Sequence, residues 1–142
     1  MASELKVDKF TGVTTAGSIS VTGEGNSTTT SLQQGLLKAW VNFNGSGTIA
    51  TSDSFNHSSL TDNGTGNFNN TLSSALGNAN YAFNATVGRS PNVGGTDVPF
   101  AYMADDAFAP TTTAYRVYSI AYNGGSLQNQ DRNFQSLHGD LA

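Results

Sequence analysis

The sequence predicts an all-β chain: a small antiparallel β-sandwich preceded by an extended N-terminal arm. Three observations lead to this fold class. Ser, Thr, Asn and Gly supply nearly half of the 142 residues, which is typical of strands joined by many turns. Segments that alternate apolar and polar residues follow one another at a spacing of roughly 8–12 residues, as in sandwiches. Asn-Gly pairs, which favour the positive φ of tight hairpins, lie between several segments.

The first 34 residues predict an extended attachment arm and linker, and residues 35–142 predict the sandwich domain. Leu5–Phe10 and Ser18–Thr22 alternate weakly, which indicates short extended pieces. Asn26–Ser31 contains no apolar residue and indicates a linker. Because so few apolar groups cannot offset the entropy lost on ordering, we expect the arm to order against a partner or a neighbouring subunit.

From Leu36 onward the alternation becomes regular enough to predict individual strands. The leucines between Thr30 and Trp40 have helical spacing, but Gly35 interrupts them and disfavours a helix. Asn44-Gly45, Asn63-Gly64 and Asn123-Gly124 are predicted to form tight turns. The predicted strands are Leu36–Phe43, Gly47–Ala50, Ser54–Leu60, Asn67–Ser73, Asn80–Val87, Val98–Met103, Ala114–Tyr122 and Asn133–Gly139.

The apolar residues of these strands predict one modest hydrophobic core. In the first strand the period of two places Lys38, Trp40 and Asn42 on the side opposite the core. Each core side chain contributes about 1.5–3 kcal/mol when fully buried, so a small sandwich is stable by a narrow margin. The predicted core is Leu37, Val41, Phe43, Ile49, Phe55, Leu60, Phe68, Leu72, Tyr81, Phe83, Val87, Phe100, Val117, Ile120 and Leu137.

Charge and composition exclude several classes of function. The net charge is −4 and the 6 basic residues are scattered, so the chain lacks the basic surface that nucleic acid requires. No apolar run approaches the ~20 residues that span a bilayer, and we expect no membrane insertion. Cysteine is absent, which excludes disulfides and thiolate metal sites.

The ionisable residues do not form a recognisable reactive centre, and we predict no catalytic residue, cofactor or metal. Asp105 and Asp106 are adjacent, so their side chains point to opposite sides of an extended chain. Asp53 and His57 are four residues apart, a spacing that joins ligands only on a helix. The enzymatic alternative is a depolymerase of host polysaccharide, which needs two carboxylates a few ångströms apart. Asp105 with Asp106, or Asp53 with Asp62, are the candidates.

Aromatic and amide side chains are the more informative set, because together they hold saccharides without ionised groups. Two long loops, Gly88–Asp97 and Tyr122–Gln128, are expected to face outward. The candidate contacts with other subunits or partners are Trp40, Lys38, Tyr118 and Tyr122, and the candidate receptor-facing loop residues are Arg89, Asn92, Asp97 and Asn123.

Several short motifs between Gly35 and Tyr81 resemble those of short tail-fibre-like structural proteins of marine bacteriophages of the cyanophage type. The leader LKVDKFTGVTTAGSISVTG and the C-terminal LHGDLA are also similar to this family, whereas Arg89–Pro110 has no counterpart in it. The motifs are Lys38-Ala39-Trp40, Asn42-Phe43-Asn44-Gly45, Asp53-Ser54-Phe55-Asn56, Thr61-Asp62-Asn63-Gly64-Thr65-Gly66 and Asn80-Tyr81.

The resemblance implies a virion structural protein without catalytic residues. It implies a tail fibre component, a homotrimer, that contributes to host attachment, and host-surface saccharide is the expected ligand. Residues 1–34 would then contact other virion proteins. The alternative is a capsid decoration protein that its N-terminal arm anchors to the surface of the head.

Overall fold

The structure is a computed structural model, and it describes residues 4–13, 15, 18–88, 99–103, 108–121 and 125–139. The chain forms two compact units, Met1–Leu36 and Leu37–Ala142. In the first unit, β1 (Ser20–Thr22) and β2 (Thr29–Ser31) pair as an antiparallel hairpin. β2 lies inside Asn26–Ser31, so the prediction that this segment is a linker is wrong there. Leu5–Phe10, predicted as a short extended piece, contains no strand.

A single helical turn, α1 (Leu32–Gly35), follows β2 directly. The Ser31 hydroxyl accepts a hydrogen bond from the Gln34 amide at 3.5 Å, the usual role of a helix N-cap. The sequence disfavoured a helix here. Gly35 ends it after one turn, so the penalty for glycine inside a helix does not arise.

The second unit is a β-sandwich of two four-stranded antiparallel sheets. The first sheet has the strand order β4-β3-β10-β7 and the second the order β5-β6-β9-β8. The predicted fold class, an all-β antiparallel sandwich, is confirmed. The strands are β3 (Leu37–Asn44), β4 (Ala50–Phe55), β5 (Ser59–Asp62), β6 (Asn67–Thr71), β7 (Ala82–Gly88), β8 (Pro99–Met103), β9 (Ala114–Ala121) and β10 (Arg132–His138).

Two adjoining apolar clusters hold the sheets together. Val41 and Phe43 from β3 meet Phe68 from β6 and Val117 from β9. The rings of Phe43 and Phe68 pack edge to face with centroids 5.1 Å apart, a favoured aromatic geometry. The second cluster consists of Ala39, Leu72, Leu76, Tyr115 and Leu137.

The interior also contains a polar layer that the predicted core does not include. The Ser119 hydroxyl donates to Asn133 Oδ1 at 2.8 Å, and Asn133 Nδ2 donates to the Gln130 carbonyl at 2.8 Å. Asn70 Nδ2 donates to Gln135 Oε1 at 3.1 Å across the sandwich. Because a buried amide is tolerated only when it is hydrogen-bonded, these contacts determine which residues face each other.

The glycines predicted in turns act in different ways. Gly64 has φ of 120° in the β5–β6 hairpin, as predicted, and its amide donates to Asp62 Oδ1 at 2.8 Å. Gly45 does not adopt positive φ. A Cβ at Gly45 would lie 2.7 Å from Phe68 Cζ, so this glycine is needed for close packing. Asn123-Gly124 lies outside the described residues.

Two predicted strands are wrong. Ser54–Leu60 is not one strand, because the chain leaves the first sheet after Phe55 and enters the second at Ser59. Asn56 makes this corner with φ of 53°, a conformation that asparagine tolerates. Its side chain accepts from the Ser74 amide at 2.7 Å. Gly47–Ala50 is mostly a loop, and β4 begins only at Ala50.

The core prediction is partly wrong, because period two alone does not show which face of a strand is inside. Phe55 and Phe100 lie on outer faces and expose 54% and 43% of their surface, and Leu37 is also exposed. The buried residues that the prediction left out are Lys38, Ala39, Asn70, Leu76, Tyr115, Ser119, Ala121, Gln130, Asn133 and Gln135.

Candidate binding surfaces

The outer face of the first sheet contains a hollow of about 400 Å³ centred on Ser136. In the strand register, Ser136 lies between Trp40 of β3 and Asn84 of β7. Phe134 is two residues along β10, so its side chain points to the same face. The hollow exists because a small serine is surrounded by larger side chains on three strands. Its outward-facing residues are Trp40, Asn42, Asn84, Thr86, Phe134 and Ser136.

The polar side chains of the hollow are not hydrogen-bonded within the described part of the chain. Asn42, Asn84, Thr86 and Ser136 make no side-chain hydrogen bond in the part of the chain that the structure describes. In the interior, by contrast, Asn70 donates to Gln135 Oε1, and Asn133 is hydrogen-bonded to the Ser119 hydroxyl and to the Gln130 carbonyl. The hollow therefore presents amide and hydroxyl groups that are able to bind a ligand.

Aromatic side chains form the apolar part of this surface. Phe134 exposes 41% of its surface, and Phe55 lies directly opposite Trp40 on the edge strand β4. No charged residue is among the described residues that line the hollow, although Asp53 of β4 lies opposite Asn42 in the strand register. A neutral ring with apolar faces and hydroxyl edges matches this combination, because the faces stack on aromatic rings while the edges hydrogen-bond to amides.

The outer face of the second sheet carries a different group of aromatic residues. Tyr102 of β8 lies opposite Tyr118 of β9, with ring centroids 5.4 Å apart. The Phe100 and Tyr102 centroids are 6.3 Å apart. Arg116, two residues before Tyr118, places its guanidinium 3.3 Å from the ring centroid of Phe108.

The structure places some of the predicted contact residues on these outer faces. Trp40 lies in the hollow and Tyr118 on the second outer face. Lys38 is only 2% exposed, because the β10–β3 register shifts between Leu137 and His138 and interrupts the alternation of side chains. The predicted contact Tyr122 and the loop residues Arg89, Asn92, Asp97 and Asn123 lie outside the described residues, as do Asp105 and Asp106.

The remaining ionisable candidates have separate, local roles. Asp53 is exposed on β4 and its Oδ1 accepts from the neighbouring Ser54 amide at 2.8 Å. Asp62 accepts from the Gly64 amide in the β5–β6 turn. His57 Nε2 lies 3.2 Å from Asn70 Oδ1. Among the described residues, no group of three or more His, Cys, Asp or Glu side chains is placed to hold a metal ion.

His57 lies between the surface and the buried amides, and its partial burial predicts that stability depends on pH. Burial lowers its pKa below the ordinary value of 6.5, against the opposing hydrogen bonds to the Asn70 side chain and the Ser59 backbone. The unfolded chain therefore binds the proton more readily. Stability should be complete above about pH 6.5 and decrease as the pH falls through the folded-state pKa.

His57→Gln retains an amide donor towards Asn70 but does not titrate. We expect urea unfolding between about pH 7.5 and pH 5 to show a smaller loss of stability in this variant than in the wild type. The difference between the two proteins isolates His57 from the carboxylates, which titrate in both. An equal loss in both proteins would contradict the contribution of His57.

Within the described part of the chain, no helix has the length and apolar character needed to cross a membrane. Comparison of the chain with protein-family models, with curated proteins and with solved structures found no match. The side chains on the two outer faces are therefore the evidence for function.

Proposed function

We propose that this chain is a virion structural protein, a tail fibre component that contributes to host attachment by binding neutral saccharide. The observation that carries the proposal is the hollow around Ser136. There, an indole, an exposed phenyl ring and four polar side chains that make no hydrogen bond to a described residue surround one concave surface. The phage resemblance at Gly35–Tyr81 supports the virion assignment.

The chemistry of the hollow favours binding over turnover. Glycosidic cleavage requires two carboxylates on either side of the scissile bond, and none of the described residues that line the hollow carries a carboxylate. The polar groups that do line it, amides and hydroxyls, are neutral at physiological pH. They hold a sugar ring in place but do not supply a proton or a nucleophile to it.

The arm supplies the second part of the proposal. Leu5, Val7, Phe10 and Val13 are all exposed in the first unit, a pattern that favours burial against another protein. Trimeric assembly would multiply weak saccharide contacts, because the second and third sites then bind at high effective concentration. In this proposal residues 1–34 join the chain to other virion proteins.

Trp40→Ala tests the saccharide site. We expect it to weaken binding of a neutral oligosaccharide by at least about tenfold, because truncating a central aromatic contact commonly costs 2 kcal/mol or more. Maltohexaose, laminarihexaose and mannohexaose are suitable probes for calorimetric titration of the wild type and the variant. The sequence contains a single tryptophan, Trp40, so quenching of wild-type tryptophan fluorescence reports binding at the hollow itself.

Phe100→Ala is the matched control, since it truncates an exposed aromatic residue on the other sheet. It should leave affinity for the neutral probes unchanged. Equal weakening by both variants, or no binding to any neutral probe, would contradict the saccharide site. Immunogold labelling of intact particles tests the virion assignment separately. Label on the tail fibres supports it, and label on the head supports capsid decoration instead.

A further inference from the structure

The outer face of the second sheet carries an arginine whose guanidinium packs against an aromatic ring. The Arg116 guanidinium lies 3.3 Å from the centroid of the Phe108 ring, close enough for a cation–π contact. Arg116 is opposite Asn69 of β6 in the strand register. Tyr118 follows two residues later on the same face of β9, with Tyr102 beside it. A rigid cation therefore lies next to a pair of phenol rings.

No anion within the described chain neutralises this cation. Arg116 makes no hydrogen bond or ion pair with any residue that the structure describes, and its Nε is buried without a hydrogen-bond partner among them. The described strand residues that share this face include no Asp or Glu. They are Ser59, Thr61, Asn67, Asn69, Thr71, Phe100, Tyr102, Ala114, Arg116, Tyr118 and Ile120.

The buried Nε of Arg116 is not accessible to a ligand, but the two Nη groups of the guanidinium are not buried, and their hydrogen bonds to a carboxylate are charge-assisted and strong. Arginine presents donors in a planar fork that matches a carboxylate. The nearby side chains of Asn69, Thr61 and Tyr118 make no hydrogen bond in the described chain. They are therefore available to bind hydroxyl groups next to a carboxylate.

We propose that this face binds a saccharide that carries a carboxylate, such as a uronate or a sialate. Its carboxylate pairs with Arg116, and a sugar ring packs against Tyr118 and Tyr102. The site goes beyond the proposed function, because it lies on the opposite sheet from the hollow and selects acidic rather than neutral sugar.

A second copy of the chain fits this face less well than a small acidic ligand. Phe100 and Tyr102 expose only 43% and 39% of their surface. The two rings form a small apolar patch, because most of the other described strand residues on this face are polar. A copy would also have to supply an anion for Arg116.

Paired acidic and uncharged glycans test the site. Calorimetry should compare oligogalacturonate, oligoalginate and sialyllactose with their methyl esters, which retain the rings and lose the charge. We expect at least one acid to bind at least about tenfold more tightly than its ester, the magnitude of one charged hydrogen bond. Its affinity should fall as salt is raised from about 0.05 M to about 0.5 M.

Two variants connect that selectivity to Arg116. Arg116→Gln should reduce binding of the acid to the level of its ester. Asn69→Asp places a carboxylate opposite Arg116, so it should pair with the guanidinium and abolish acid binding while the fold remains intact. Trp40→Ala should leave binding of the acid unchanged. The proposed acidic-sugar site and the proposed neutral-sugar site in the hollow are therefore tested independently.

Two results would overturn the proposal. One is that no acid binds better than its ester. The other is that a folded Arg116→Gln or Asn69→Asp protein keeps the preference for the acid, with folding checked by the cooperativity of thermal unfolding.

Discussion

Phe68→Ala is expected to lower the free energy of unfolding by about 3–5 kcal/mol, the usual cost of removing a buried phenylalanine from a core. Phe68 is fully buried on β6 and packs against Val41, Phe43 and Val117. Its ring is the main contribution of the second sheet to this cluster, so its loss leaves a cavity between the sheets. Urea unfolding followed by far-UV circular dichroism measures the change through the midpoint.

Phe55→Ala is the control for this prediction, because it removes the same ring from an exposed position on β4. We expect a change within about 0.5 kcal/mol, as for most surface substitutions. If the two variants lose similar stability, the packing of the sheets through Phe43 and Phe68 is wrong. Because small sandwiches are marginally stable, Phe68→Ala should also leave a measurable unfolded fraction at 37 °C.

The sequence predicted the fold class because local signals agree along most of the sandwich. β7 begins two residues after the start of predicted Asn80–Val87 and ends one residue beyond it, and β10 differs from predicted Asn133–Gly139 by one residue at each end. In these segments period two, β-branched or aromatic residues and flanking turn residues all indicate a strand. The Asn56 corner was missed because a residue at positive φ changes the direction of the chain without interrupting its polar composition.

The interior was harder to predict because this chain buries amides. In β10, Asn133, Gln135 and Leu137 face inward, while Phe134 faces solvent. Polarity alone therefore gives conflicting faces for this strand, since Leu137 correctly indicates the core side whereas Phe134 indicates the opposite side. The partners explain part of the arrangement: the Ser119 hydroxyl donates to Asn133, and Asn70 donates to Gln135 Oε1, whereas the buried Gln135 Nε2 has no hydrogen-bond partner among the described residues. Such partners are distant in sequence and become adjacent only when both sheets are assembled.

The candidate site was predicted in part for the same reason. Alternation in β3 placed Trp40 and Asn42 on the outer face, where the structure has them. Phe134 and Ser136 were not predicted as part of the site, because Asn133 and Gln135 are polar but buried, so polarity does not show which side of β10 faces outward. The Arg116–Phe108 contact joins β9 to a residue outside the strands, and no spacing rule predicts such a contact. Lys38 was assigned to the outer face because the register shift beside it leaves no local signal.

Asn133→Ala should destabilise the protein by about 1–3 kcal/mol for each polar group that it leaves without a partner. Asn133 is fully buried, accepts from the Ser119 hydroxyl at 2.8 Å and donates to the Gln130 carbonyl at 2.8 Å. The Gln130 carbonyl also accepts from the Gly45 amide at 2.9 Å, so the Ser119 hydroxyl is the group most affected. Thermal and urea unfolding measure the loss.

A double-mutant cycle with Ser119→Ala separates this hydrogen bond from the packing around it. If the buried pair is coupled, the double variant loses less stability than the two single variants added together, because neither partner remains to be desolvated alone. Strict additivity would mean that Ser119 and Asn133 do not depend on each other. The inward orientation of β10 would then need another cause, and so would the outward placement of Phe134 and Ser136, which forms the hollow.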